Sequence, residues 1–144
     1  MRFSDLLDAA RSNPLDVIIP AEWAQGRATF GGLVAALQYE ALRAQVPAER
    51  PLRSLAITFV GPVAPDVPAS YQVEVLREGK AVSQLLGRVV QNGEVATLVQ
   101  ASFGASRESE IAVESEAPPV FKHWDECQEL PYIKGVTPEF MRHL

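Results

Sequence analysis

Hydrophobic and polar positions change period partway along this chain. From Phe30 to Leu42 the residues are apolar on nearly every side of a helical wheel, with Gln38 and Glu40 the strongly polar members. A helix of that kind must be covered over most of its surface. Period-two runs follow. Leu52 to Val60 alternates with Leu55, Ile57 and Phe59 on one side, and Ser70 to Leu76 alternates Tyr71, Val73 and Val75. Ala81 to Val90 and Val95 to Phe103 are each roughly ten residues, against a usual strand of about five or six. Strands that long twist and curl, and a curled sheet has a concave face for a helix. The order predicts an α+β domain: one long central helix wrapped by a curved antiparallel sheet.

The turns support a meander. Glu78-Gly79 predicts a two-residue hairpin turn, on the expectation that glycine supplies a positive φ there, and Asn92-Gly93 is the strongest short hairpin signal. Gly87, inside a strand, predicts a bend or bulge. Upstream, Ser4 is placed to cap a short helix over Asp5–Arg11, which Asn13-Pro14 ends. Leu15 to Ile19 predicts a short strand stopped by Pro20, and Glu22 to Arg27 a loop leading into the main helix. A Pro-rich crossing, Gly61 to Pro68, separates the first two long strands, with Asp66 as a turn residue. Trp23 and Phe30 are expected in core or interface.

After Ser106 the pattern dissolves. Arg107–Glu116 is acidic and Ser-containing, Pro118-Pro119 breaks the chain, and Phe121 to Leu144 has scattered aromatics without a period. The expected organisation is a domain over residues 1–106 and an acidic linker and tail over 107–144. In that tail, 107–116 is expected to be mobile, with Phe121, Trp124, Tyr132 and Phe140 as packed anchors. Charge divides the same way: residues 1–106 hold 9 Lys and Arg against 10 Asp and Glu, and residues 107–144 hold 4 against 8.

Composition narrows the function. The chain has 144 residues, 47% of them hydrophobic and 22% charged, which suits one globular domain. No basic stripe exists for a phosphate backbone, so nucleic acid is not expected as a partner. No apolar run reaches a membrane-spanning length, and the first residues do not form a secretory signal. A single cysteine, Cys127, makes no internal disulfide, and a cytoplasmic setting is the expectation. Both histidines, His123 and His143, lie in the tail with that cysteine. The body therefore holds no Ser-His-Asp, Cys-His or His/Cys metal set, and no phosphate-cradling Gly-rich loop. No metal and no cofactor are implied.

One feature of the body carries positive chemistry. Gly31-Gly32 at a helix start leaves free N–H groups at the positive end of the helix dipole, a site suited to an oxyanion. Close packing of helix on sheet asks for small residues equally well.

The helix at Phe30-Gly31-Gly32, the stretch Arg53 to Pro62, Leu76-Arg77-Glu78-Gly79, Gln91-Asn92-Gly93 and Gln100-Ala101-Ser102-Phe103, in this order, resemble the N-terminal half of bacterial acyl-CoA thioesterase II-like proteins. The resemblance covers about residues 15–106. It implies the hotdog fold, with two repeats in a chain, and hydrolysis of an acyl-CoA or related acyl thioester by an activated water, the acyl chain lying in an apolar tunnel. It also implies that the family's catalytic Asp, Thr or Ser, and Gln lie in a second repeat missing here, toward which the tail leads. Superposing the repeats by motif puts Ser54 at the Asp position, Ser83 near the hydroxyl and Gln100 at the Gln, so the carboxylate base is lost. Single-repeat relatives carry a carboxylate seven residues after the second glycine; here that position is Tyr39, with Glu40 next. Glu40 otherwise reads as a partner for Arg43 at i+3. Candidate catalytic residues are thus Gln100, Ser83, Glu40 and Ser54, with Gly31 and Gly32 binding the oxyanion. A lone hotdog has an open sheet edge, so a homodimer joined edge to edge is expected. The alternative is a non-catalytic hotdog half-domain that serves packing and acyl binding.

Overall fold

The computed structural model describes residues 1–143. Its centre is helix α2, Gly31–Arg43, which buries Leu33, Val34, Leu37, Gln38, Ala41 and Leu42. Each buried Leu or Val contributes about 1.5–3 kcal/mol relative to exposure. Four antiparallel strands receive it: β3 (Leu52–Phe59), β4 (Ser70–Glu78), β5 (Val82–Gln91) and β6 (Glu94–Gly104), in spatial order β3-β6-β5-β4. A shorter helix, α1 (Phe3–Ser12), packs on α2. Between the helices lies a small hairpin of β1 (Ala24–Gln25) and β2 (Ala28–Thr29), closed by Gly26 at φ 70.

Register sorts the strand residues onto two faces. Rows Leu85–Ala101–Leu55, Gly87–Val99–Ile57 and Val89–Thr97–Phe59 face α2. Rows Gln84–Ser102–Ser54, Leu86–Gln100–Ala56 and Arg88–Leu98–Thr58 lie on the outer face. The helix presses closely on the inner rows. A Cβ on Gly87 would sit 2.5 Å from Gln38 Nε2 and 3.0 Å from its Cγ. Gln38 is fully buried and donates to the Gln72 carbonyl at 3.2 Å, so it has nowhere to move.

Several sequence expectations are corrected. Gly87 pairs regularly with Val73 and Val99, so it marks the closest approach of the helix and not a bend. The irregularities fall at Arg53, at Leu76 and at Ala96, the last inserted between the Val90–Val95 and Val89–Thr97 pairs. The Asn92-Gly93 turn has the expected positive φ, 54 and 82. The β4–β5 turn instead spans three residues, Gly79 to Ala81, and Gly79 does not take a positive φ. The expected strand at 15–19 reduces to one bridge, Val17 to Ala69, because Pro14 and Pro20 bracket it and cannot donate to a ladder. Helix α1 starts two residues early: the Asp5 carboxylate accepts the Arg2 amide at 2.9 Å, and Ser4 is not the cap. Within the segment expected to be a loop, Ala21–Trp23 makes a 3-10 turn.

The Pro-rich crossing is held by Gln91, whose Nε2 donates to the Ala64 and Val67 carbonyls at 3.0 Å while its Oε1 accepts the Ala64 amide at 2.8 Å. Residues 107–116 are exposed and carry no helix or strand. Of the four expected anchors, Phe140 is buried and stacks on Phe30 with ring centres 4.0 Å apart. Tyr132 is half-buried and donates to Glu139, whereas Phe121 and Trp124 stay 75% and 79% exposed and anchor nothing.

Two outcomes follow from this packing. Gly87→Ala is expected to destabilise by about 1–3 kcal/mol in urea denaturation, since the neighbouring side chain is locked. Adding Gln38→Ala should lessen that penalty, and a neutral single variant would show that the contact yields. Tyr71 is 1% exposed, its hydroxyl has no partner among the described residues, and burial pushes its phenol well above the usual range. The unfolded chain ionises this phenol near pH 10 and the folded chain does not, so stability is fully present below that pH and falls as pH rises above it. Tyr71→Phe should melt at or above the parent temperature at pH 7 and resist alkaline unfolding better.

Candidate functional site

The N-terminus of α2 presents the clearest binding geometry. The Phe30 carbonyl accepts the Leu33 and Val34 amides at 3.1 and 3.2 Å, while the Gly31 and Gly32 amides have no partner among the described residues. No side chain caps them. Beside Gly31 lies an apolar cleft of about 230 Å³ lined by Thr29, Val34, Phe59, Pro62 and Val63, and Thr29 Oγ1 is itself buried without a partner. Beside Gly32 lies a second cleft of about 240 Å³ lined by Phe3, Trp23, Phe30, Leu33, Ala36 and His143.

The close packing expected at the glycine pair is present. A Cβ on Gly31 would meet the Phe59 ring at 3.0 Å, and one on Gly32 the Phe30 ring at 2.6 Å. Aromatic packing demands the missing side chains, and the two dipole-aligned amides beside the rings have no partner among the described residues. The tail reinforces this corner, since His143 stacks on Trp23 at 4.3 Å beside the Phe140–Phe30 pair.

The four candidate side chains are not brought together. Glu40 stands nine residues from Gly31, about 13 Å along the axis. Its carboxylate accepts Arg11 Nε from α1 at 2.8 Å, and the Arg11 guanidinium is held more firmly protonated by that contact. Arg43 is not its partner; it donates to the Val46, Pro47 and Ala48 carbonyls beyond the helix end. Ser83 faces inward, 3% exposed, and accepts Arg50 Nη1 at 2.7 Å. Arg50 Nη2 also donates to the Gly79 and Lys80 carbonyls, and Glu78 lies 3.5 Å from Nη1, so this buried guanidinium clamps the β4–β5 turn.

Ser54 and Gln100 do lie near each other, in adjacent rows of the outer face, opposite the amides. Two residues not among the sequence's site candidates join them there: Ser102, paired with Ser54, and Gln84, whose Oε1 accepts the Ser102 hydroxyl at 2.8 Å. Counting pairs back from Asn92-Gly93 would set Gln84 opposite Ala101. The extra residue at Ala96 moves the pairing by one and turns β6 over, which alternation alone does not reveal. Among the described residues, no group of three or more His, Cys, Asp and Glu could hold a metal ion, and no helix is long and apolar enough to cross a membrane.

Comparison with known proteins agrees with this architecture. The chain is 36% identical over 77 residues to acyl-CoA thioesterase 2 of Haemophilus influenzae, a stretch covering 54% of this chain and 27% of that protein. A hotdog-fold protein of unknown function from Alicyclobacillus acidocaldarius superposes with a TM-score of 0.70 at 23% identity, over 94% of this chain and 52% of that one. An acyl-CoA thioesterase II of Mycobacterium marinum gives 0.62 at 26%, over 67% of this chain and 37% of that one. The chain thus spans about half or less of the length of each of these proteins. The acyl-CoA thioesterase N-terminal domain model matches residues 19–104, the stretch from Ile19 through the whole four-stranded sheet. With the helix, the sheet order and that match in register, this chain belongs to the acyl-CoA thioesterase N-terminal domain family and has its hotdog fold.

Proposed function

We propose that this protein serves the hydrolysis of acyl-CoA thioesters as one hotdog unit of a two-unit site. The observation that carries the reading is the pair of unpartnered amides at Gly31 and Gly32, set between two apolar clefts at the positive end of a buried helix. The amides are suited to the thioester oxygen as charge develops on it, and the clefts to part of an acyl chain. Water is oriented by the outer-face polar residues Gln100 and Ser54. Glu40 and Ser83, each bound to an arginine, act as structural partners in this unit.

The amides and the Gln100 patch lie on opposite faces of one sheet, so a single copy does not hold both over one carbonyl. A second unit supplies the complement, including the carboxylate base. The open edge of β3 supports this, since it ends in Phe59 and Val60, each 57% exposed. For this chain alone the second unit is another copy, joined edge to edge. A cytoplasmic location accords with the lone free cysteine and with a CoA-linked substrate.

The separation of candidate groups favours a second reading, in which the chain is a non-catalytic half that packs against an active unit and binds acyl chains. Sedimentation distinguishes the assembly: a dimer is expected at micromolar concentration, and a clean monomer would defeat the edge pairing. For chemistry, Gln100→Ala in a protein containing two units should lower kcat/KM for acyl-CoA by about 10² or more with the fold intact by circular dichroism. If that change leaves hydrolysis untouched, and the chain binds acyl chains without turning them over, the half-domain reading stands.

A further inference from the structure

The β4–β5 turn forms one wall of a cleft of about 650 Å³, well away from the α2 N-terminus. Three cations line it: Arg77 from β4, Lys80 from the turn and Arg107 from the start of the tail. None is in an ion pair or side-chain hydrogen bond among the described residues, unlike Arg11, Arg50 and Arg88. No carboxylate lines the cleft, in a chain whose net charge is −5.

Arg50 explains why the turn offers only donors. Its guanidinium takes the Gly79 and Lys80 carbonyls and lies against Glu78, drawing the acceptors and the negative charge of the turn to itself. The Lys80 and Ala81 amides have no partner among the described residues. Gln84, also in the lining, has its Oε1 occupied by Ser102, which leaves its amide N–H groups free. Three cations, two backbone amides and a carboxamide donor, with no competing acceptor, are a set for a polyanion.

We propose that this cleft binds the phosphates of coenzyme A, the 3′-phosphorylated adenosine diphosphate end of an acyl-CoA. The proposal rests on the acyl-CoA reading above and names the part of the substrate this unit grips. Gln84 belongs both to the cleft and to the outer-face row with Ser102 and Ser54. A nucleotide anchored at the turn therefore directs its pantetheine arm along the face that carries Gln100. An anion site at this corner also gives Arg50 and buried Ser83 a purpose beyond packing: they keep the carbonyls of the turn away from the phosphates.

Titration of the full chain with CoA at low salt tests this. The variant Arg77→Gln/Lys80→Gln/Arg107→Gln changes only exposed side chains and should keep its melting temperature while losing about tenfold or more in CoA affinity, with a shallower salt dependence. Dephospho-CoA should bind the parent chain more weakly than CoA. Equal CoA affinity in parent and triple variant would overturn the site. Equal displacement of CoA by ATP or inorganic phosphate at the same concentration would overturn its assignment to CoA. Hydrolysis of an acyl N-acetylcysteamine thioester, which carries no phosphate, reports on the hydrolase reading separately. If no thioester is turned over while the cations still govern CoA affinity, the hydrolase reading fails and the nucleotide site stands.

Discussion

Helix α2 lies closer to its sheet than ordinary side chains permit, and the remaining structure is arranged around that approach. Gln38 occupies the space a Cβ on Gly87 would fill, and Phe59 occupies that of Gly31. A fully buried carboxamide is costly unless bonded, and the Gln72 carbonyl on β4 takes one of its donors. That bond ties the helix to an edge strand where an apolar residue would only pack. The outcome is a helix gripped at its middle by Gln38 and at its start by aromatic rings, with its first two amides left over.

Buried arginine plays the matching part at the far end of the sheet. Arg50 is 9% exposed, and burying a guanidinium without partners would be strongly unfavourable. It is satisfied by Ser83, two turn carbonyls and Glu78, which explains why a turn lacking a positive-φ glycine keeps one shape. Thus one unit has two polar ends: amides at the start of α2, and a cation-lined turn at the start of β5. The sheet separates them onto different faces. Gln100 and Ser54 lie on the face of the sheet opposite the α2 amides, so one unit does not bring these polar groups together.

Small residues do double duty throughout. Gly31 and Gly32 admit aromatic rings and thereby leave amides bare; Gly87 admits a side chain and thereby fixes the depth of the helix. A glycine in such a sequence looks like flexibility, yet at none of these three positions is the φ positive. Contact, not backbone freedom, selects them.

Much of the fold was legible in the chain. The all-round apolar helix, four alternating strands and the Asn92-Gly93 turn are local patterns, and local patterns are written in the order of residues. The strand at Leu15 to Ile19 and the cap at Ser4 were misjudged because nearby prolines and the Asp5 carboxylate compete with propensity at the same positions. The site was less legible. Gly31 and Gly32 could be named from their place before an apolar helix, but the grouping of Gln100 with Ser83 and Glu40 could not be tested by alternation. One extra residue at Ala96 reverses which side of β6 faces the helix, and in the run Val95 to Val99, polar only at Thr97, the shift of phase is masked. Sequence alone determined the central helix and the four long strands, since each carries its own period. Tertiary structure decided which side chains share a face, because that depends on register between strands distant in the chain and on partners such as Arg11 and Arg50 that no local pattern announces.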